Sequence, residues 1–262
     1  MEKNTAGVPG YEIFEYQPKQ HDYCVLIPII NELGRIDVQL SRAVESHIHQ
    51  YADIVICDGG SNDGCTEQGL LQNLEVNTLL IKTGKGKQGA QLRMGFDWAL
   101  KRGYKGFITI DGNNKDSIED VPAFIEKLQQ GYDFVQGSRF IKGGKAIHTP
   151  LFRLLMVRLV HAPVISITAR FWFTDTTNAF RAYSRRYIAD NRVAVFRDIF
   201  DTYELLAYLS VRASQLKMRV CEIPVVRAYP KNGKTPTKIK GFKGNVNLLK
   251  ILFCNLLGKY NP

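Results

Sequence analysis

Phe107–Ser117, FITIDGNNKDS, decides how the chain is read. Its first part, Phe107–Ile110, is apolar and β-branched, as a strand buried on both faces of a sheet should be. The run stops abruptly at Asp111-Gly112-Asn113-Asn114-Lys115-Asp116. Carboxylates and amides crowded at the carboxyl end of a buried strand suit a site that holds a divalent cation against a phosphate, because hard cations take oxygen ligands and a loop can converge them.

The same texture repeats outward from this stretch. Tyr23–Ile30 is a near-continuous apolar run ending at Asn31-Glu32, with a helix expected to about His49. Asp53–Cys57 is a second strand and runs into the turn-rich loop Asp58–Gly64; Val76–Lys82 is a third and leads to Gly84-Lys85-Gly86-Lys87-Gln88-Gly89 and a helix to about Arg102. Beyond the central strand, Tyr104–Ile110, come a helix over Ile118–Gln130 and a strand over Asp133–Gln136 that ends in Gly137-Ser138-Arg139. Strand alternating with helix predicts an α/β fold with a mostly parallel central sheet flanked by helices, and polar loops gathered along its carboxyl edge. Ligands bind at such an edge.

After Lys142 the texture changes. Pro150–Ile167 reads as one or two short amphipathic helices carrying Arg153 and Arg158, Thr174–Ser184 returns to strand and loop, and Thr202–Ala213 is a helix containing Glu204. Met218–Val226 is a last strand, the basic segment Arg227–Lys243 follows, and Val246–Leu257 is a closing apolar-faced helix.

Composition sets the class of partner. The 262 residues are 45% apolar and 23% charged, ordinary for a globular chain, with a net charge of +10 that points to anionic partners: phosphorylated small molecules, an acidic membrane surface or nucleic acid. MEKNTAGVPG is polar and no apolar core of secretory length follows it, so no signal peptide is expected. No uninterrupted apolar run reaches the roughly 18 to 20 residues that span a bilayer. Five scattered cysteines without a C-x-x-C pair suit a reducing cytoplasm.

The ordered set Pro28-x-x-Asn31-Glu32, Asp58-x-Gly60-Ser61-x-Asp63-Gly64, Gly84-Lys85-Gly86, Asp111-x-Asn113, Gly137-Ser138-Arg139, Asp175 and Phe180–Arg185 resembles the family 2 glycosyltransferases of the Rossmann-like GT-A fold. Within them it looks most like the dolichol-phosphate mannosyltransferase branch, over roughly residues 23–240. Residues 1–22 read as a loose polar lead-in and 244–262 as a C-terminal helix, and between them the resemblance implies a GT-A domain (23–243) with a nucleotide-binding half (about 23–140) and an acceptor half (about 141–243). It also implies C-terminal amphipathic helices at a membrane interface and a basic lid over the donor diphosphate.

Carried over residue by residue, the resemblance puts Pro28 and Glu32 at the base and ribose, and Asp58 on the base. Lys85, Arg139, Arg227 and Lys234 or Lys238 would meet the diphosphate. Asp111 and Asn113 stand at the family's Asp-x-Asp, which binds Mg²⁺ or Mn²⁺, with Asp116 available as a further ligand. Asp175 and Glu204 are the carboxylates implied to face the acceptor, so Asp111, Asp175 and Glu204 form the expected catalytic set. Two departures stand out: Gly59 replaces a second Asp, and Asn113 replaces an acidic metal position with an amide that brings no charge. Lys115 stands where relatives often have Gln, and could itself offer positive charge to the phosphates.

The implied activity is inverting transfer of a sugar from a GDP- or UDP-linked donor to a polyprenyl phosphate or a glycan hydroxyl, in the cytoplasm, with contact to the inner face of a membrane as a further expectation. Two other classes stay open. Gly84-x-Gly86-x-x-Gly89 after a strand fits an NAD(P)-binding Rossmann oxidoreductase, and the basic segment fits an anion- or nucleic-acid-binding module, although no nucleic-acid recognition signature accompanies it and nucleic acid is not an expected partner.

Overall fold

A computed structural model describes residues 7–231 and 241–262. In chain order, β1 (Tyr11–Glu15), β2 (Tyr23–Ile29), α1 (Ile36–Glu45), β3 (Asp53–Asp58), α2 (Gln68–Asn73), β4 (Val76–Lys82), α3 (Gln88–Lys101), β5 (Gly106–Thr109), α4 (Val121–Gln129) and β6 (Phe134–Ser138) build the first part. Then follow β7 (Lys145–Ile147), α5 (Leu151–Met156), a π-helical turn (Val157–His161), α6 (Ala162–Ala169), β8 (Arg181–Ser184), α7 (Arg185–Ala189), α8 (Glu204–Gln215), β9 (Val220–Pro224), β10 (Val226–Ala228) and α9 (Gly241–Leu256).

Among the described residues these strands form one eight-stranded sheet, in the order β1-β4-β3-β2-β5-β8-β6-β9, and a separate ribbon of β10 and β7. The large sheet is parallel except for β1 and β8, which run antiparallel to their neighbours. It is the expected mostly parallel α/β sheet. Alternation along β2 shows why its apolar run was needed: Cys24 and Leu26 enter the core on one face, Val25, Ile27 and Ile29 the core on the other.

Three parts depart from the sequence reading. Residues 11–15, expected in a loose polar lead-in, form the edge strand β1, registered from Tyr11 opposite Lys82 to Glu15 opposite Thr78. The last expected strand divides into β9 and β10, so that Arg227 lies in a strand and is buried. The segment expected as short helices with no bilayer-length run is instead one helical stretch, Leu151–Ala169, long and apolar enough by length and composition to cross a membrane. Its inner side, with Val157, Ala162, Ile165 and Ala169, is buried, while Leu151, Phe152, Leu155, Leu159 and Ile167 are exposed. Trp172, just beyond it, is 70% exposed.

Candidate active site

The Asp111–Ser117 loop is held from three sides. Gly112 passes so close to β2 that a Cβ there would lie 2.4 Å from Ile29 Cγ2, which fixes the loop over the end of that strand. From α1, Gln39 Oε1 accepts the Asn114 N–H (2.8 Å), and Arg42 donates to Asn114 Oδ1 (2.8 Å) while pairing with Glu119 (2.6 Å). From β10, the Ala228 N–H donates to Lys115 O (2.8 Å), and Ser117 N–H donates to Val226 O (3.0 Å). Arg227 is thereby brought in register with Asp116.

The charges at this loop are interlocked. Asp111, whose side chain is 21% exposed, accepts from Gln88 Nε2 (3.0 Å), Asn113 Nδ2 (3.3 Å) and Arg227 Nη2 (3.3 Å). The other arm of Arg227, Nη1, pairs with the fully buried Asp116 and reaches Asn178 Oδ1 (3.3 Å). Lys115 is buried beside them, with Nζ 5.2 Å from the centre of the Tyr229 ring. Burial raises the Asp111 carboxyl, but Arg227 and Lys115 overcome it and hold the group below the usual carboxylate range. Burial keeps Asp116 above that range in spite of Arg227. Burial, with Arg227 adding repulsion, pushes Lys115 down to about 8.

The remaining expected residues divide between this cluster and structural duties. Arg139 is not an open clamp: it forms a bidentate pair with Asp175, Nε to Oδ2 at 2.6 Å and Nη2 to Oδ1 at 2.8 Å. Asp175 is fully buried by that pair, so its carboxylate does not face an acceptor as expected. Glu204 turns back on its own helix start, accepting from the Thr202 N–H (2.6 Å) and hydroxyl (2.8 Å). Asp58 is 1% exposed and spends both oxygens on its loop, accepting from Gly60 N (2.8 Å), Ser61 N (2.9 Å) and Ser61 Oγ (2.5 Å). Glu32 pairs with Arg35 at 2.5 Å. Pro28 lies in β2 opposite Cys57, and Lys85 is exposed. Lys234 and Lys238 lie outside the described residues, as does most of the expected lid.

The glycine-rich Gly84–Gly89 has a packing explanation. A Cβ at Gly89 would stand 2.3 Å from Phe200 O. The N–H groups of Lys87 and Gly89, which a dinucleotide phosphate would need, both donate to Asp201 O (3.1 and 3.2 Å).

The donors at the expected metal site are few. Among the described residues, no group of three or more His, Cys, Asp or Glu is placed to hold a metal ion. Asn113 Oδ1 and Asp116 Oδ1 are buried without a hydrogen-bond partner, which favours a cation. An ion ligated by Asp111 and Asp116, however, would lie against the guanidinium that already bridges them. The described residues by themselves thus offer no preformed divalent-cation centre.

Four participants escaped the sequence reading: Gln88, Asn178, Tyr229 and the role of Arg153. Arg153 Nη1 donates to the Tyr229 hydroxyl (3.1 Å), and Tyr229 is 4% exposed among Lys115, Arg153 and Arg227. Burial raises the Tyr229 phenol, but Arg227 and Arg153 bring it down to about 8. Only the position of Tyr229 within the basic segment hinted at this in sequence.

Comparison with known proteins agrees with this fold. Residues 24–203 match the family described as "Glycosyl transferase family 2". The undecaprenyl-phosphate mannosyltransferase of Micrococcus luteus is 27% identical over 205 residues, covering 76% of this chain and 81% of that protein. The polyprenol monophosphomannose synthase of Mycolicibacterium smegmatis is 27% identical over 171 residues, covering 63% of this chain and 62% of that protein. In fold, the chain is similar to glucosyl-3-phosphoglycerate synthase from Mycobacterium tuberculosis, crystallised with Mn²⁺, UDP and phosphoglyceric acid: TM-score 0.61 and 14% identity, covering 91% of this chain and 78% of that one. The carboxyl-edge acid loop, the sheet order and the match over most of its length together make this chain a member of glycosyl transferase family 2, an enzyme of the GT-A fold similar to the polyprenyl- and dolichol-phosphate mannosyltransferases.

Proposed function

We propose that the chain transfers a glycosyl group from a nucleoside-diphosphate sugar to a polyprenyl phosphate at a membrane surface. The observation that carries this reading is the line of contact from the exposed apolar helix to the acid loop: Arg153 of α5 donates to Tyr229, whose ring lies 5.2 Å from Lys115 Nζ. An apolar chain lying along Leu151, Phe152, Leu155 and Leu159 would bring its phosphate to Arg153. The names of the two curated relatives support the same acceptor class.

Proton chemistry favours phosphate over a glycan hydroxyl. A hydroxyl needs a general base as it attacks, whereas a phosphate monoester is anionic near neutral pH. Asp175 and Glu204, the carboxylates expected to serve an acceptor, are both engaged elsewhere. In the proposed step an acceptor phosphate oxygen bonds to the sugar anomeric carbon from the side opposite the leaving group. The bond from that carbon to the donor phosphate oxygen breaks, and its electron pair leaves with the nucleoside diphosphate. Cations at the acid loop stabilise that growing charge. The GDP or UDP donor and the inner-face location belong to this proposal.

The test is transfer of radiolabel from GDP-mannose or UDP-glucose, offered separately, to undecaprenyl phosphate in detergent. A labelled, organic-extractable product that releases the sugar in mild acid supports the reading. Label passing only to a soluble glycan overturns the lipid acceptor.

A further inference from the structure

The charge balance of the Asp111 loop has a bearing on what holds the donor. Two carboxylates, Asp111 and Asp116, face two cations, Arg227 and Lys115, so the cluster is neutral by formal charge before any ligand arrives. A site that holds a divalent cation with protein groups alone carries surplus negative charge, since that surplus offsets the dehydration of the ion. Here the surplus has been cancelled by residues of the chain itself, and Arg227 is anchored on both acids.

We infer that this enzyme binds the donor diphosphate without a divalent cation, with Lys115 and Arg227 supplying the positive charge at the acid loop. The inference rests on the nucleoside-diphosphate donor proposed above. The Arg227 guanidinium and the backbone of Lys115 are fixed before the donor arrives. Arg227 is held by Asp111, Asp116 and Asn178, and Lys115 belongs to the loop segment whose carbonyl is tied to Ala228. A guanidinium offers a planar fork of N–H donors to phosphate oxygens, and an ammonium offers a compact point charge. Preorganised charge of this kind stabilises a leaving diphosphate with little reorganisation. Asp111 then acts as a positioning residue, holding Arg227 and Gln88 through its two carboxylate oxygens.

Calorimetric titration of the full chain with GDP, UDP and CDP, each in EDTA and again in Mn²⁺, tests the idea. The expected result is one nucleotide whose Kd agrees within about two-fold in the two conditions. A Kd more than about ten-fold weaker in EDTA overturns the inference and leaves the donor reading standing. Binding of none of the three in either condition overturns the donor reading and this inference with it.

A second measurement uses the metal alone. The electron paramagnetic resonance spectrum of free Mn²⁺ should be unchanged by the wild-type chain. Asn113→Asp combined with Lys115→Gln shifts the cluster from 0 to −2, one charge from each change, and should deplete the free Mn²⁺ signal while making nucleotide binding about ten-fold stronger with metal than without. Depletion of the signal by the wild-type chain overturns the inference. So does a folded double variant with no greater metal response. Should the double variant not fold, the wild-type titration and spectrum decide alone.

Discussion

Arg139 and Asp175 meet through two N–H···O bonds, 2.6 and 2.8 Å long, with side chains 1% and 0% exposed. The pair joins the end of β6 to the segment leading into β8. Removing one partner strands a charge in a place where water cannot reach it. Arg139→Met is therefore expected to destabilise the chain by about 3–5 kcal/mol, and adding Asp175→Leu to recover most of that loss. Urea denaturation of the three chains is the measurement; a single variant as stable as wild type would show that the pair does not hold these segments.

Asp111 orients Arg227 and Gln88 at the mouth of the loop and has a side chain 21% exposed. Replacing it should disturb chemistry more than folding. Asp111→Ala is expected to lower glycosyl transfer by about 100-fold or more, with a melting temperature close to wild type. Near-normal turnover would remove Asp111 from the mechanism.

Tyr229 gives a pH signature. Its phenol falls from 10.0 to about 8 because Arg227 and Arg153 outweigh the effect of burial. Between these values the folded chain has released a proton that the unfolded chain still holds. The contribution to stability is thus fully present above about pH 10 and is lost as pH falls through about 8. Absorbance near 295 nm should show one tyrosine ionising near pH 8, and Tyr229→Phe should abolish that step. If the variant keeps the step, another tyrosine carries it.

The exposed side of Leu151–Ala169 makes a membrane prediction. Leu159 and Trp172 are each 70% exposed, so charging them costs little in the free protein and much against lipid. Leu159→Glu with Trp172→Glu should reduce co-sedimentation with anionic phosphatidylglycerol vesicles about ten-fold while leaving the circular dichroism spectrum unchanged. Equal sedimentation of variant and wild type would place the lipid contact elsewhere.

The parallel strands β2, β3 and β4 were legible because each is a dense apolar run closed by a turn-rich loop. β1 was not, because Glu12 and Glu15 break the apolar pattern of a strand that has a neighbour on one side only. The Asp111 loop was legible as a site from its residue types and Arg227 as a cation for it, yet the pairing of Arg227 with Asp111, 116 positions away, came into view only through the bridge with Asp116. Asp175 and Glu204 misled for a related reason. A carboxylate reads the same in sequence whether it faces a substrate, a buried arginine or the start of its own helix. The glycines of Gly84–Gly89 likewise fit a phosphate loop by spacing, while the nearby carbonyls of Phe200 and Asp201 account for them.

The position of β8 also constrains the order of assembly. It lies between β5 and β6, although it follows β6 by more than forty residues in the chain. As the polypeptide leaves the ribosome, β1 to β5 can pair into a continuous half-sheet, but β6 has no neighbour on that side until Ser184 has emerged. The donor half can be in place first, and β8 then closes the gap like a keystone, carrying β6 and β9 with it. Mutations in Arg181–Ser184 should therefore slow maturation of the nascent chain more than their distance from the acid loop suggests.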